Sequence, residues 1–428
     1  MSFNTCLPGR QAPTMRGFAL LLILVSSVAS AQIKNYKLGD LEGNAIAGVS
    51  VAISPKNNKN MVAYAAGKMM ISNDAGVTWT ASQLNFPAEL KGTPNLTADS
   101  KGNFFIVYST LTQIITRSST NDGKTWSEPM IVSGPAGKDQ YNPNILTFPK
   151  REGLMVTWTQ AGKLGLEADS CKSNIMLATS TSGGKKWSKP IVVNQNAGNC
   201  LDEDFTVRGS TAIMDLDNRT FVVWASQGTL IYDRSYDGQM WISTDLGIAE
   251  QSGGWGLTIP GFGKIANTPA VAIDNSPSRI HGTLFLAYSD LKSGENDSDI
   301  WLVRSVNRGD NWTVAARVNQ DKAGRDQFLP RISIDPANGR VYILYYDRRD
   351  GSDNQTDVYL AWSTDGGNQF KETKITEAAF ASDINVADYM TDYIDLSVQK
   401  GIIVPVWTSI QNGKQEVWTA VIRQEDLK

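Results

Sequence analysis

The chain has 428 residues, a formal net charge of −3 and an isoelectric point near 5.5. Its arginines and lysines are scattered, so neither nucleic acid nor an anionic membrane is expected as a partner. A single histidine, His281, excludes a histidine-based zinc site and any Ser-His-Asp triad built on another histidine. Frequent glycine (37), with 12 Trp and 13 Tyr, suits a β protein rich in tight turns.

At the N-terminus, Arg16 precedes the apolar run FALLLILV (Phe18 to Val25), and small residues lead to Ala29-Ser30-Ala31. This charged, apolar, A-x-A order predicts a signal peptide over residues 1–31. The run is too short to span a bilayer. The expectation is a secreted or periplasmic protein, free of the membrane after processing, with residues 32–428 as one domain. Cys6 would leave with the signal. Cys171 and Cys200 flank one repeat, and in an exported chain they are expected to form one disulfide.

The body of the chain is built on a recurring octet. SNDAGVTW (Ser72 to Trp79) returns as STNDGKTW (Ser119 to Trp126), STSGGKKW (Ser180 to Trp187), SVNRGDNW (Ser305 to Trp312) and STDGGNQF (Ser363 to Phe370). A broken copy, STDLG, is read at Ser243 to Gly247. A strand-only period of about 40–60 residues is the range of propeller blades. Within each repeat, short β-branched and aromatic runs alternate with turn residues. In the second, NLTAD, FFIVYST and QIITRSS precede the octet and PMIVS follows it. The octet therefore joins the third and fourth strands of a blade. Its polar side chains can bond nearby backbone, its glycine permits a positive φ, and its Trp is expected to pack on its own blade.

Six octets would give six blades. A seventh set of strands without an octet follows: YIDLS, IIVPVWTS and EVWTAVI, from Tyr393 to Ile422. IKNYKL (Ile33 to Leu38) has no place in the first repeat and can supply the missing outer strand. The expected fold is an all-β, seven-bladed propeller of four-stranded antiparallel blades, with a six-bladed ring as the alternative. Joining the two termini in one blade removes an open edge.

The octets resemble the Asp boxes of the sialidase superfamily, over nearly the whole of residues 32–428. That resemblance specifies a propeller fold and implies a secreted, glycan-directed protein. Similar boxes also occur in propellers of other functions.

The innermost strands share a recognisable start: TPNL, NPNI, TVRG, TPAV, LPRI and TDYI. Aligned, these place Asn95, Asn144, Arg208, Ala270, Arg331 and Asp392 in a ring about the axis. Asp202, Glu203 and Asp204 lie near the fourth start, Asp326 near the sixth and DYMTDY (Asp388 to Tyr393) near the seventh. Read through the sialidase resemblance, Arg208 and Arg331 would hold an acidic substrate. Tyr389 or Tyr393 would be the nucleophile, and Glu203 or Asp392 the proton-transfer partner. Asn95, Asn144 and Arg348 complete the expected substrate contacts. The Phe/Tyr-Arg-Ile-Pro motif that opens sialidases has no counterpart here. The charged stretches YSDLKSGENDSD and YYDRRDGSDNQTD are read as solvated loops between second and third strands. No cofactor and no metal are expected. A monomeric glycoside hydrolase of exo-α-sialidase type acting on glycans or polysaccharides is the leading expectation. A non-catalytic glycan- or protein-binding propeller is the alternative.

Overall fold

The computed structural model describes residues 1–5, 9, 32–41, 48–133, 137–236, 241–242, 244–322, 324–351, 354–381, 392–411 and 414–427. Most of the expected signal peptide lies outside them. Residues Ile33–Lys428 form one compact unit, separate from Met1–Gln32. Among the described residues no helix is long and apolar enough to cross a membrane.

Seven antiparallel sheets follow one another along the chain, so the ring has seven blades rather than six. Blade 2 shows the pattern: Lys91–Ala98 innermost, then Phe104–Ser109, Ile114–Ser119 and the short outer Met130–Ile131. The inner strands of the others are Ser50–Ile53, Asp139–Thr147, Arg208–Met214, Ala270–Ile273, Gln327–Ile334 and Ile394–Gln399. Blade 7 takes its outer strand from the other end of the chain. Asn35–Asp40 pairs antiparallel with Lys414–Ala420, from Asn35 opposite Ala420 to Asp40 opposite Glu416. The closure expected from IKNYKL therefore holds. An additional hairpin, Gly256–Ile259 with Gly263–Ala266, is inserted between blades 4 and 5.

Second strands such as Phe104–Ser109 and Val341–Asp347 are buried at every residue. Both of their faces are covered, which explains why they read as unbroken apolar runs. The apolar side chains gather in the seams between successive blades. One cluster joins Phe105 and Val107 of blade 2 to Val156 and Trp158 of blade 3, for example. Another joins Val404 and Val406 of blade 7 to Val51 and Met61 of blade 1, across the closure.

The repeated turns lie between third and fourth strands. In each of the five full copies the serine hydroxyl accepts the glycine N–H, as Ser72 does from Gly76 at 2.8 Å and Ser119 from Gly123 at 3.0 Å. Asp74 accepts the Thr78 N–H at 2.9 Å and its hydroxyl at 2.6 Å, and these bonds hold its carboxyl down at about 2. Gly123 has φ +80°, and a Cβ there would lie 2.7 Å from a Val62 methyl. Val62 belongs to blade 1, so this turn of blade 2 presses on the blade before it. The tryptophans bond their own turns, as Trp79 and Trp126 do to the Gly76 and Gly123 carbonyls, and also reach the blade before. Trp312 of blade 5 sits edge-on to Tyr232 of blade 4, centroids 5.8 Å apart.

The fourth turn does not lie where the letters STDLG place it. Gly247 is inside the outer strand Leu246–Glu250, opposite Ile231. The third strand ends at Ser235, which bridges to Trp241. The fourth connection between third and fourth strands therefore begins after Ser235, eight residues before the serine of STDLG. The longer spacing to the next copy accommodates the inserted hairpin.

Candidate functional site

The starts of the inner strands converge on the axis. There they enclose a cavity of about 200 Å³, whose walls include Asn95, Asn144, Thr211, Ala270, Arg331, Asp392 and Asp395. What aims these side chains is a recurring irregularity. The inner strands of blades 2, 3, 4 and 6 each shift register near their start. Each shift contains a left-handed residue: Gly92, Asn142, Gly209 or Leu329, at φ 64°, 46°, 71° and 54°. A bulge adds a residue to one strand only and turns the following side chain to the other face. Two or three positions later come Asn95, Asn144, Thr211 and Arg331, all facing the channel.

One of the ring positions expected from sequence is thereby changed, and blade 7 adds a second residue to the one expected. In blade 4 the channel residue is Thr211. Arg208 lies before the bulge, is 7% exposed, pairs with Asp202 and stacks over the Trp255 ring at 4.7 Å. In blade 7 Asp395 holds the position equivalent to Asn95. Asp392 lies three residues earlier and also lines the cavity.

Arg331 and Asp392 form an ion pair between blades 6 and 7. The Asp395 carboxylate accepts the Val51 N–H of blade 1 at 2.8 Å. Burial pushes its carboxyl above the ordinary range, with Arg331 pulling the other way. The asparagines tie neighbouring blades: Asn95 Oδ1 accepts the Ile145 N–H at 3.0 Å, and Asn144 Nδ2 donates to the same oxygen at 3.4 Å. The cavity thus holds one guanidinium, two carboxyls in unlike settings and a polar amide wall.

The remaining expected site residues lie elsewhere. Tyr393 is buried in the apolar seam of blades 6 and 7, and burial pushes its phenol up to about 12. That packing takes it out of the channel and out of reach as a nucleophile. Tyr389 lies outside the described residues. Glu203 is exposed on the connection into blade 4, where it accepts from Asn199 Nδ2 at 3.1 Å. Arg348 is 3% exposed. It donates to the Pro260 carbonyl at 2.6 Å and to Thr356 Oγ1 at 3.2 Å, which fastens the inserted hairpin to blade 6. Cys171 and Cys200 are joined by a disulfide, tying the long hairpin loop of blade 3 to the connection into blade 4. Among the described residues no group of three acids, cysteines or histidines is arranged to hold a metal ion.

The charged hairpins of blades 5 and 6 are not simply solvated. Asp299 and Asp347, at their roots, are about as buried as the core. Arg349 donates to Asp347 at 2.9 Å and to both Glu372 oxygens at 2.9 Å, and lies over the Tyr359 ring at 4.3 Å. Arg317 binds Asp299 at 2.6 Å, and Asn319 and Gln327 fill the space between. These groups face one another and not the channel.

No protein-family model matches the sequence, and neither does any curated protein. Solved structures are similar in fold. The NanB sialidase from Streptococcus pneumoniae is 10% identical, with a TM-score of 0.50 over 84% of this chain and 74% of that one. The α-L-arabinofuranosidase Arb93A from Fusarium graminearum, in complex with an iminosugar inhibitor, is 12% identical, with a TM-score of 0.51 over 79% and 94%. A GH93 α-L-arabinofuranosidase of Fusarium graminearum with arabinobiose is also 12% identical, with a TM-score of 0.50 over 76% and 91%. This chain therefore has the sialidase-like propeller fold, which sialidases share with these arabinofuranosidases.

Proposed function

We propose that the protein acts on glycans at the mouth of its channel, as a glycoside hydrolase whose working groups are Asp395, Asp392 and Arg331. One observation carries this reading: two carboxyls in a single cavity are held in unlike environments. Burial keeps Asp395 ready to retain a proton, as a general acid must. Asp392 is paired with a guanidinium, the setting of an ionised partner. Arg331 and the amides of Asn95 and Asn144 orient the sugar. Neighbours of this fold include glycosidases of different specificity, so the fold supports the substrate class and leaves the sugar to the site.

A binding-only propeller is the second reading. It is favoured by the Asp395 bond to the backbone of the next blade, which is also what a structural staple would make. The test is hydrolysis of a fluorogenic glycoside panel, including a sialoside and an arabinofuranoside. Asp395→Asn should lower turnover by about 10²–10⁴. Tyr393→Phe should leave it unchanged. A folded wild type inactive on every glycoside rejects hydrolysis, and a glycan array then tests binding.

Export is part of the same proposal. The A-x-A leader and the disulfide both suit an oxidising compartment. N-terminal sequencing of protein recovered outside the cytoplasm should begin at Gln32; an intact Met1 would reject it.

A further inference from the structure

A larger cavity, of about 510 Å³, lies on the flank of blade 2 and shares no wall residue with the channel. Its roof is the connection from blade 1, which carries Phe86 and Glu89. Its floor is the face of blade 2 that presents Tyr108, Gln113 and Arg117. Register explains the floor: Tyr108 stands opposite Ile115 on the neighbouring strand, and Arg117 follows on the same face. Phe86 is held edge-on between Tyr64 of blade 1 and Tyr108, at 5.2 and 5.5 Å between centroids. The aromatic wall is therefore fixed by the seam of two blades and does not depend on the loop alone.

Arg117 has no carboxylate partner among the described residues. Its Nε is buried without a hydrogen bond, and the Tyr108 hydroxyl is its polar neighbour. A guanidinium fixed over an open cavity, with no internal acid to neutralise it, is suited to a planar carboxylate from outside. Gln113 and Thr110 add uncharged donors and acceptors beside it. An aromatic wall, one cation and several neutral hydrogen-bonding groups fit a ring that has an apolar face, a carboxylate and hydroxyls. The exposed Glu89 at the rim disfavours a second negative charge there.

We propose that this cavity is a second carbohydrate site that binds a sugar carrying one carboxylate, such as a uronic acid, through Arg117 and Phe86. It anchors an acidic glycan on the flank of the ring, away from the channel. The site stands whether or not the channel hydrolyses glycosides.

The test is calorimetric titration of the folded protein with methyl galacturonoside, which carries one carboxylate, and, in parallel, with neutral methyl galactoside. Wild type should bind the acid at least about tenfold more tightly than the neutral sugar. Arg117→Gln should remove that preference, and Phe86→Leu, which keeps the seam filled, should weaken both sugars. Arg117→Gln should leave any channel turnover at the wild-type rate, which separates failure of one site from failure of the other. Gln113→Ala provides a surface variant with little risk to folding and should weaken both sugars. No binding by wild type, an unchanged preference in Arg117→Gln, or loss of binding in Arg331→Gln would overturn the proposal. Equal binding of N-acetylalanine, a non-sugar with one carboxylate, would overturn the sugar as its ligand class.

Discussion

Arg349 offers the sharpest test of what holds the strands of blade 6 together. Its guanidinium bridges Asp347 and Glu372, lies 3.3 Å from the Tyr345 hydroxyl and covers Tyr359. The side chain is 16% exposed and that of Asp347 is fully enclosed. Replacing Arg349 with Met preserves most of the volume and removes the charge. Losing one partner of a buried pair typically costs about 3–5 kcal/mol. At roughly 2.1 cal/mol/K per residue, a domain of this length unfolds with about 0.8 kcal/mol/K, so the midpoint should fall by about 4–6 °C.

The pH dependence adds a second signature. Burial pushes the Asp347 carboxyl up to about 6, with Arg349 opposing. A carboxyl raised on folding binds more protons in the native state. Its contribution is fully present below its unfolded value near 3.9 and is lost as pH rises through about 6. Without Arg349 the carboxyl moves higher still. The deficit of Arg349→Met should therefore be larger at pH 8 than at pH 5, when both proteins are melted by calorimetry. A loss below about 1 °C, or one equal at the two pH values, would refute this account of the network.

Two further outcomes follow from the ring itself. Cys171 and Cys200 close a loop of 29 residues, for which chain entropy gives about 3.6 kcal/mol; the double Ser variant should melt about 4 °C lower at equal protein concentration. Starting the chain at residue 42 removes Asn35–Asp40 and bares the edge of Lys414–Ala420. Exposed edges recruit other strands, so sedimentation should show species larger than those formed by the full chain.

Much of the fold is legible because it is repeated. One octet marks the turn from third to fourth strand, and the orphan segment IKNYKL pairs where the last blade lacks a strand. The site is less legible, for a local reason. Shared letters around the prolines correctly put Asn95, Asn144, Ala270 and Arg331 on the channel, but in blade 4, where the start TVRG lacks the proline, the bulge at Gly209 brings Thr211 to the axis in place of Arg208. A bulge slips the period-two pattern by one and changes every face beyond it. The seventh inner strand does carry a signal. Ile394, Asp395, Leu396 and Ser397 alternate between apolar and polar, and that alternation alone puts Asp395 on the channel face. Arg208 and Arg348 show the opposite case. Charge in a loop suggested ligand contacts, whereas tertiary packing uses both guanidiniums as internal fasteners.

The pairing of Asn35–Asp40 with Lys414–Ala420 also imposes an order in time. The first strand of the propeller to leave the ribosome is the one whose partner is made last. Blades 1 to 6 can each form from local hairpins as they emerge, but the final sheet waits for the whole chain. Contacts so distant in sequence are slow to form. Until then the ring is an open arc with two unsatisfied ends, and completing blade 7 is the step that commits the molecule to a closed channel.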